Sequence, residues 1–345
     1  MIFKKILIIN LGGIGDLLLS TPALRALKNK YPDAEISMLV VKRVYEVAKG
    51  LEYIDNVFIL STAHKGFVNI VRSLCTLLEL RRNGFDIAVN MRTMVSRRSA
   101  AIMKIIFDII RPKVKAGRDT EGRGYFLDIT IPEMTIGAKS EMEYDLDMVK
   151  KLGVDIYEKN IDLKIAEPDI KMVDELLKKS NISSDDIVVG VHPGGAKSRR
   201  WPLENYARVI DTVSDKIKCK FIITGGTDDL ELFGSLSTKV DHNIVNLVGR
   251  VKIRELAALI KRCDVFIAND SGPMHIAAIL KIPLVAIFGP GDIARFDPRY
   301  ISDKVVVFYK RADCAPCNNA VCDYDNRCLK TIRYEEVAEA AMGFL

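Results

Sequence analysis

The feature that most limits how this chain can fold is a unit that recurs along it: a short apolar run, a glycine-rich turn, and a helix beginning at once. Near the start, Lys4 to Ile9 reads as a fully buried strand, and Asn10 to Asp16 (NLGGIGD) turns directly into a helix over Leu17 to Lys28. Near the other end, the run Val265 to Ala268 gives way at Asp270, Ser271 and Gly272 to a second helix. Pro273 suits the first turn of that helix. Strands that alternate with helices in this way read as α/β units around a parallel sheet.

The alternation restarts once, which argues for two doubly wound α/β domains. In the first half, strands are expected at Lys4 to Ile9, Glu35 to Val41, Val57 to Leu60 and Asp86 to Asn90. Helices are expected there at Asp16 to Lys30, Gly66 to Arg82, Ser96 to Ile109 and Glu141 to Leu152. In the second half, strands fit Ile187 to Val191, Lys220 to Thr224, Ile244 to Asn246, Val265 to Ala268, Leu284 to Phe288 and Val305 to Phe308. Helices fit Leu203 to Lys216, Asp228 to Lys239, Ile253 to Lys261, Pro273 to Leu280 and Tyr334 to Phe344. The length, 345 residues, also exceeds what one core usually organises. The expected division is a first domain over 1–165, a polar linker with one short helix over 166–186, a second domain over 187–330, and a final helix over 331–345. In open α/β sheets ligands bind at the carboxyl ends of strands, where these glycine turns fall, so a cleft between the domains is the expected site.

Composition is that of a globular protein, with 49% hydrophobic and 28% charged residues. The most apolar stretches carry Arg, Lys or Asp every few residues, so none offers the roughly 20 apolar residues of a membrane span. The start, MIFKKILIIN, runs straight into a strand without a cleavage site, and a cytoplasmic location is expected. The net charge of +6 is uneven: from Arg81 to Arg123 there are eleven basic residues against four acidic ones. Such a run suits a solvated surface, or a basic face for a polyanionic acceptor or anionic lipid head groups. Nucleic acid fits less well, because no aromatic interleaving accompanies the charge.

The turns carry the chemistry. The helix opening at Gly272 would aim unpaired N–H groups at an anion, which makes Ser271 to Met274 a phosphate site. In the first loop, Gly13 and Gly15 allow close backbone approach, but Asp16 would repel phosphate, so this loop suits a hydroxyl or a cation. The second domain opens with VGVHPGGAKSRRWPLENYARVI. Its tight turn at Gly194 and Gly195, followed by Lys197, Arg199 and Arg200, can clamp a pyrophosphate. Thr224 to Asp229 (TGGTDD) repeats the pattern, with Thr227 and Asp228 suited to ribose hydroxyls or to the helix dipole. A dinucleotide oxidoreductase is disfavoured. The third glycine of that fingerprint is absent, since Leu18 stands three residues after Gly15, and the second strand ends in Lys42 and Arg43 rather than an acid.

Cys75, Cys219 and Cys263 lie in apolar contexts and read as small core residues. Cys314, Cys317, Cys322 and Cys328 cluster; they suit a structural zinc, a packed thiol loop or a labile disulfide. His275 lies one turn into the phosphate-facing helix, within reach of sugar or diphosphate, and also suits a hydrogen-bonded core histidine. His192 braces its turn, while His64 and His242 sit in polar loops without a role.

Four segments carry a resemblance. NLGGIGDLLLSTPALRALKNKYPDAEI, HPGGAKSRRWPLENYARVI, GGTDDLE and NLVGRVKIRELAALIKRCDVFIANDSGPMHIAAILKIPLVAIFGPGD occur in an order that resembles the ADP-heptose:lipopolysaccharide heptosyltransferases of glycosyltransferase family 9. The resemblance implies a GT-B architecture, two Rossmann-like domains facing across a cleft, with the acceptor on the first, the nucleotide sugar on the second, and the final helix packing back on the first domain. It implies inverting transfer of heptose from ADP-heptose to the Kdo or heptose of the lipopolysaccharide inner core, by an enzyme peripheral to the cytoplasmic face of the inner membrane. The family's catalytic aspartate matches Asp16, and that of its DSG or DTG motif matches Asp270. Its loop lysine falls on Arg199, a departure that replaces a compact ammonium with a planar fork.

Inverting transfer needs a base beside the acceptor hydroxyl and stabilisation of the departing diphosphate. Asp16 is the expected base. Lys197, Arg199 and the N–H groups after Asp270 are expected to hold the diphosphate without a metal cofactor, with Asp270 orienting sugar hydroxyls. Gly13, Gly15, Arg92, Arg97 and Arg98 are the expected acceptor contacts. A family 9 transferase for another nucleotide sugar or surface glycan, or a non-catalytic nucleotide- or glycan-binding protein, would fit the same motifs.

Overall fold

A computed structural model describes residues 3–61, 67–317 and 321–345. The chain forms two compact units, Met1–Asp162 and Leu163–Leu345. The first contains β1 (Lys5–Asn10), α1 (Ile14–Lys30), β2 (Glu35–Val41), α2 (Tyr45–Lys49), β3 (Asn56–Leu60) and α3 (Phe67–Asn83). It continues through β4 (Ile87–Asn90), α4 (Arg97–Ile110), β5 (Val114–Thr120), β6 (Ile129–Glu133) and α5 (Glu141–Lys151). The second begins with α6 (Glu167–Lys179), β7 (Val188–His192), α7 (Leu203–Ser214), β8 (Lys220–Ile223), α8 (Leu230–Ser237), β9 (Ile244–Asn246) and α9 (Ile253–Lys261). It ends with β10 (Val265–Asn269), α10 (Gly272–Ile279), β11 (Leu284–Phe288), α11 (Ile293–Phe296), β12 (Val305–Tyr309), α12 (Arg327–Lys330) and α13 (Tyr334–Met342).

Both sheets are six-stranded, with parallel pairing throughout and the same order. The first runs β3-β2-β1-β4-β5-β6 and the second β12-β11-β10-β7-β8-β9. Each is therefore doubly wound, and the strand order reverses between β1 and β4 in one unit and between β7 and β10 in the other. At those switch points neighbouring crossovers leave on opposite faces of the sheet, which opens a crevice at the strands' carboxyl ends. The central strands are buried on both faces, as their unbroken apolar sequences require: Ile6 to Ile9 and Val265 to Ala268 are wholly inaccessible.

Three features differ from the expectation. β5 and β6 were not expected, because VKAGRDT carries charges and ITIPE contains a proline. The strand forms because Arg118 is fully buried and met by Glu133, Glu141 and Asp145. Pro132 is tolerated because β6 is an edge strand, where a missing donor breaks no ladder. The expected linker over 166–186 contains α6, thirteen residues long, which packs on α9 as part of the second unit. Its apolar stripe at Val173 and Leu177 is buried, so it cannot serve as a free connection. The final helix, expected to return to the first domain, belongs to the core of the second unit: α13 packs on α7 and β11, with Val337, Ala338 and Ala341 buried.

Candidate active site

Each unit builds a site at its own switch point. In the first, the turn after β1 is tied down by Asn10, whose Oδ1 accepts from the Gly12 amide at 3.1 Å and whose Nδ2 donates to Ser20 Oγ at 3.0 Å. This delivers Asp16 to the first turn of α1, where its Oδ2 accepts from the Gly13 amide at 2.5 Å. Gly12 must be glycine, because a Cβ there would stand 2.6 Å from the Asp16 side chain. The other carboxylate oxygen is bonded by Arg92, which follows β4. Arg92 is held by Asn90, whose Oδ1 accepts from its amide and whose Nδ2 donates to its carbonyl. The same guanidinium nitrogen donates to Glu141 at 2.8 Å.

Behind Asp16 lies a buried ionic network. Arg118 Nη1 donates to Glu133 at 3.0 Å and to Glu141 at 2.7 Å, while its Nη2 bonds Asp145. Ser20 donates to Asp145 at 2.6 Å, which connects the network to α1. Burial lifts the Asp145 carboxyl to about 6, opposed by Arg118 and reinforced by the charge on Glu141. Arg92, expected as an acceptor contact, thus braces Asp16. Gly15 is buried, Gly13 is engaged by Asp16, and Arg97 and Arg98 stand exposed at the start of α4.

Beside this loop lies a cavity of about 810 Å³, lined by Leu11 from the turn after β1, Lys42 and Arg43 after β2, and Val71 and Arg72 from α3. Among the described residues its charged lining groups, Lys42, Arg43 and Arg72, are all cations. Sequence reasoning passed over it, although Lys42 and Arg43 directly follow a buried strand at its carboxyl end.

In the second unit, β7 ends in His192, whose Nδ1 lies 3.0 Å from Thr224 Oγ1. Burial pushes its imidazole down to about 4, so it is neutral near pH 7 and braces the turn, as expected. Gly194 lies against Asp229, with only 2.6 Å available to a Cβ, and Gly195 has a φ of +115° that favours glycine. A Cβ on Gly195 would stand 3.6 Å from Ser271, so the β7 turn and the start of α10 form one surface. Asn269 joins them: buried at the end of β10, it donates to the carbonyls of Pro193 and Gly194 and accepts from Tyr206 at 2.8 Å.

Asp270 is 3% exposed and lies 2.9 Å from Arg199. Arg199 sits with Lys197 on a short 3-10 turn, where Lys197 is exposed. Ser271, Gly272 and Pro273 begin α10, and the buried His275 packs edge-on against Phe296 of α11. Arg200, expected among the phosphate cations, instead bonds the Gly195 carbonyl at 2.8 Å and Asp229 at 2.9 Å. Trp201 is a packing residue, 1% exposed, with Nε1 donating to the Ile332 carbonyl. Thr227 and Asp228 stay exposed, whereas Asp229 ties its turn through the Gly226 amide at 3.0 Å.

Three strands that open these sites end in a buried asparagine: Asn10, Asn90 and Asn269. That signal was visible in LIIN, AVN and IAN. Of the other histidines, His242 pairs with Asp215 on the surface and His64 lies outside the described residues. Cys314, Cys317, Cys322 and Cys328 are free thiols. Cys322 Sγ accepts from the Tyr324 and Asn326 amides, and burial raises the Cys328 thiol. Among the described residues no three His, Cys, Asp or Glu side chains are grouped so as to hold a metal, and no helix is long and apolar enough to cross a membrane.

A family model, glycosyltransferase family 9 (heptosyltransferase), matches residues 76–327. The chain belongs to this family of glycosyltransferases. Within family 9 it is 24% identical to lipooligosaccharide heptosyltransferase 2 of Campylobacter jejuni, across 96% of this chain and 95% of that one. The fold is shared with a family 9 glycosyl transferase from Veillonella parvula, with TM-score 0.78, 23% identity, and 99% and 97% of the two chains covered. It is also shared with the ADP-heptose heptosyltransferase II of Escherichia coli, with TM-score 0.74, 20% identity, and 99% and 98% covered. Two six-stranded, doubly wound α/β units are thus the GT-B fold class of a family 9 enzyme.

Proposed function

We propose that this enzyme transfers heptose from ADP-heptose to an anionic sugar of the lipopolysaccharide inner core, with inversion at the anomeric carbon, at the cytoplasmic face of the inner membrane. The observation that carries the reading is the pair of unlike switch-point sites: a braced carboxylate, Asp16, in one unit, and an electropositive turn around Arg199 and the start of α10 in the other. The relatives' names, which include lipooligosaccharide and ADP-heptose heptosyltransferases, support donor and acceptor classes.

In this reading Asp16 removes the proton from the acceptor hydroxyl as its oxygen bonds to the anomeric carbon, and the bond from that carbon to the ADP oxygen breaks. Bonded to Gly13 and Arg92, the carboxylate keeps a fixed orientation while a remaining lone pair receives the proton. Lys197, Arg199 and the N–H groups of Ser271, Gly272 and Met274 receive the departing diphosphate, so no metal cofactor is invoked. Asp270 and His275 face the sugar, Gly194 and Gly195 leave room for the diphosphate, and Thr227 with Asp228 serves the ribose. Lys42, Arg43 and Arg72 hold the acceptor's negative charge in their cavity.

A donor and acceptor matrix with purified enzyme, read by mass spectrometry, tests this. ADP-heptose with a core acceptor should give product, and Asp16→Asn should abolish transfer while ADP still binds. Turnover only with another nucleotide sugar would replace the donor, and wild-type turnover by Asp16→Asn would remove the base.

A further inference from the structure

The outer surface of α3 and α4 is unusual for a water-facing layer. Both helices cover the same core, with Leu77 and Leu80 of α3 and Met103, Ile106 and Phe107 of α4 pointing inward, and they pack side by side. Their outward positions should therefore be polar. Instead Ile70, Leu74 and Leu78 form one line along α3, exposed by 66%, 45% and 39%. On α4, Ile102 and Ile105 are exposed by 49% and 57%. Of the sixteen large hydrophobic side chains exposed among the described residues, seven lie on these two helices. Scattered exposed apolar groups are ordinary, but a patch gathered on adjacent helices marks an interaction surface.

Charge selects the occupant. The two helices carry six basic residues against two acidic ones, and Asp108 is already matched by Lys104 and Lys115. Arg81, Arg82, Arg97 and Arg98 stand exposed at the ends of the helices. A second copy of this chain would oppose that positive excess with its own, whereas an anionic bilayer receives both features, with apolar side chains below the head groups and guanidiniums among them. Tyr125, 70% exposed and in the electrostatic reach of Lys104, adds an amphipathic ring of the kind that sits at head-group level. The patch also adjoins the cationic cavity, because Arg72 and Val71 of α3 line it.

We propose that the outer face of α3 and α4 docks this enzyme on an anionic phospholipid surface, with the apolar line inserted and the arginines at the head groups. Docking there would bring the mouth of the Lys42, Arg43 and Arg72 cavity to the membrane plane, where a lipid-linked acceptor presents its sugar; this role rests on the acceptor reading above, whereas lipid binding itself does not.

The test compares the wild type with Leu74→Asp combined with Ile102→Asp, two exposed positions outside the cavity lining, in flotation with vesicles of phosphatidylcholine alone or containing phosphatidylglycerol. The wild type should float only with the phosphatidylglycerol vesicles and be released by salt. The variant should partition at least about tenfold more weakly. It should match the wild type in ADP binding and in turnover of a water-soluble deacylated acceptor, and be slower only on acceptor embedded in vesicles. Wild-type flotation by the variant, salt-insensitive binding to neutral vesicles, or loss of a dimer by sedimentation in the variant would each overturn the proposal. Intact vesicle binding by a wild type that transfers no heptose would sink the acceptor reading and leave the docking surface standing.

Discussion

Gly291→Ala isolates the contribution of Asp270 without touching it. Gly291 follows β11, and its φ lies outside the left-handed region, so alanine meets no backbone obstacle. The contact is the obstacle. A Cβ at this position would stand 1.9 Å from Asp270 Oδ2, whereas ordinary contact begins at 3.4 Å, so the carboxylate must retreat by about 1.5 Å. Asp270 is only 3% exposed and has no solvent to retreat into, and the movement breaks its 2.9 Å pairing with Arg199. A charge-assisted bond contributes about 1.5–3 kcal/mol, and a displacement of roughly 1 Å in a reacting site costs about 100-fold in rate. With the proposed donor, ADP-heptose, the expected result is a fall of about 100-fold in kcat/KM, a smaller loss in ADP affinity, and an unchanged circular dichroism spectrum. Steady-state kinetics and titration calorimetry read these directly. A folded variant with kcat/KM within about threefold of wild type would refute the argument that Asp270 is positioned by contact.

Arg118→Met should destabilise the first unit by about 3–5 kcal/mol, because Glu133, Glu141 and Asp145 would remain buried without their cation; urea midpoints followed by tryptic cleavage of that unit read the change. His192 has a folded pKa of about 4, below its usual 6.5, so neutral His192 contributes its full stability above about pH 6.5 and loses it as the pH falls towards 4. The amount is about 3 kcal/mol at most, and His192→Gln should flatten that slope between urea midpoints taken near pH 7 and near pH 4. Gly234→Ala, in α8 with open space around the added Cβ, should stabilise the protein by about 0.5–1 kcal/mol in thermal melts without altering turnover.

The parts of the site that sequence reading located are those made locally. A carboxylate in the first turn after a glycine loop, as at Asp16, or a helix that opens directly after a strand, as at Ser271, depends on neighbours within a few positions, and both elements begin where the motifs put them. The acids that hold Arg92 and Arg200 could not be read from the sequence, for the opposite reason. Their partners, Asp16 and Asp229, are distant in sequence, and a cation near a glycine turn reads as a ligand contact until its acid is found. The Lys42, Arg43 and Arg72 cavity unites the turn after β2 with α3, so only the packed unit brings them together.

Local alternation of apolar strands, glycine turns and helices determined by itself that the chain makes parallel, doubly wound sheets, because buried strands and amphipathic helices bear their periodicity in adjacent residues. The tertiary structure alone decided how β5 admits the buried Arg118, why α13 stays with the second unit, and which apolar positions of α3 and α4 face outward. Each of these depends on what lies across a sheet or beside a helix. Burial and pairing are properties of contacts between distant segments, and a linear pattern records only one member of each contact at a time.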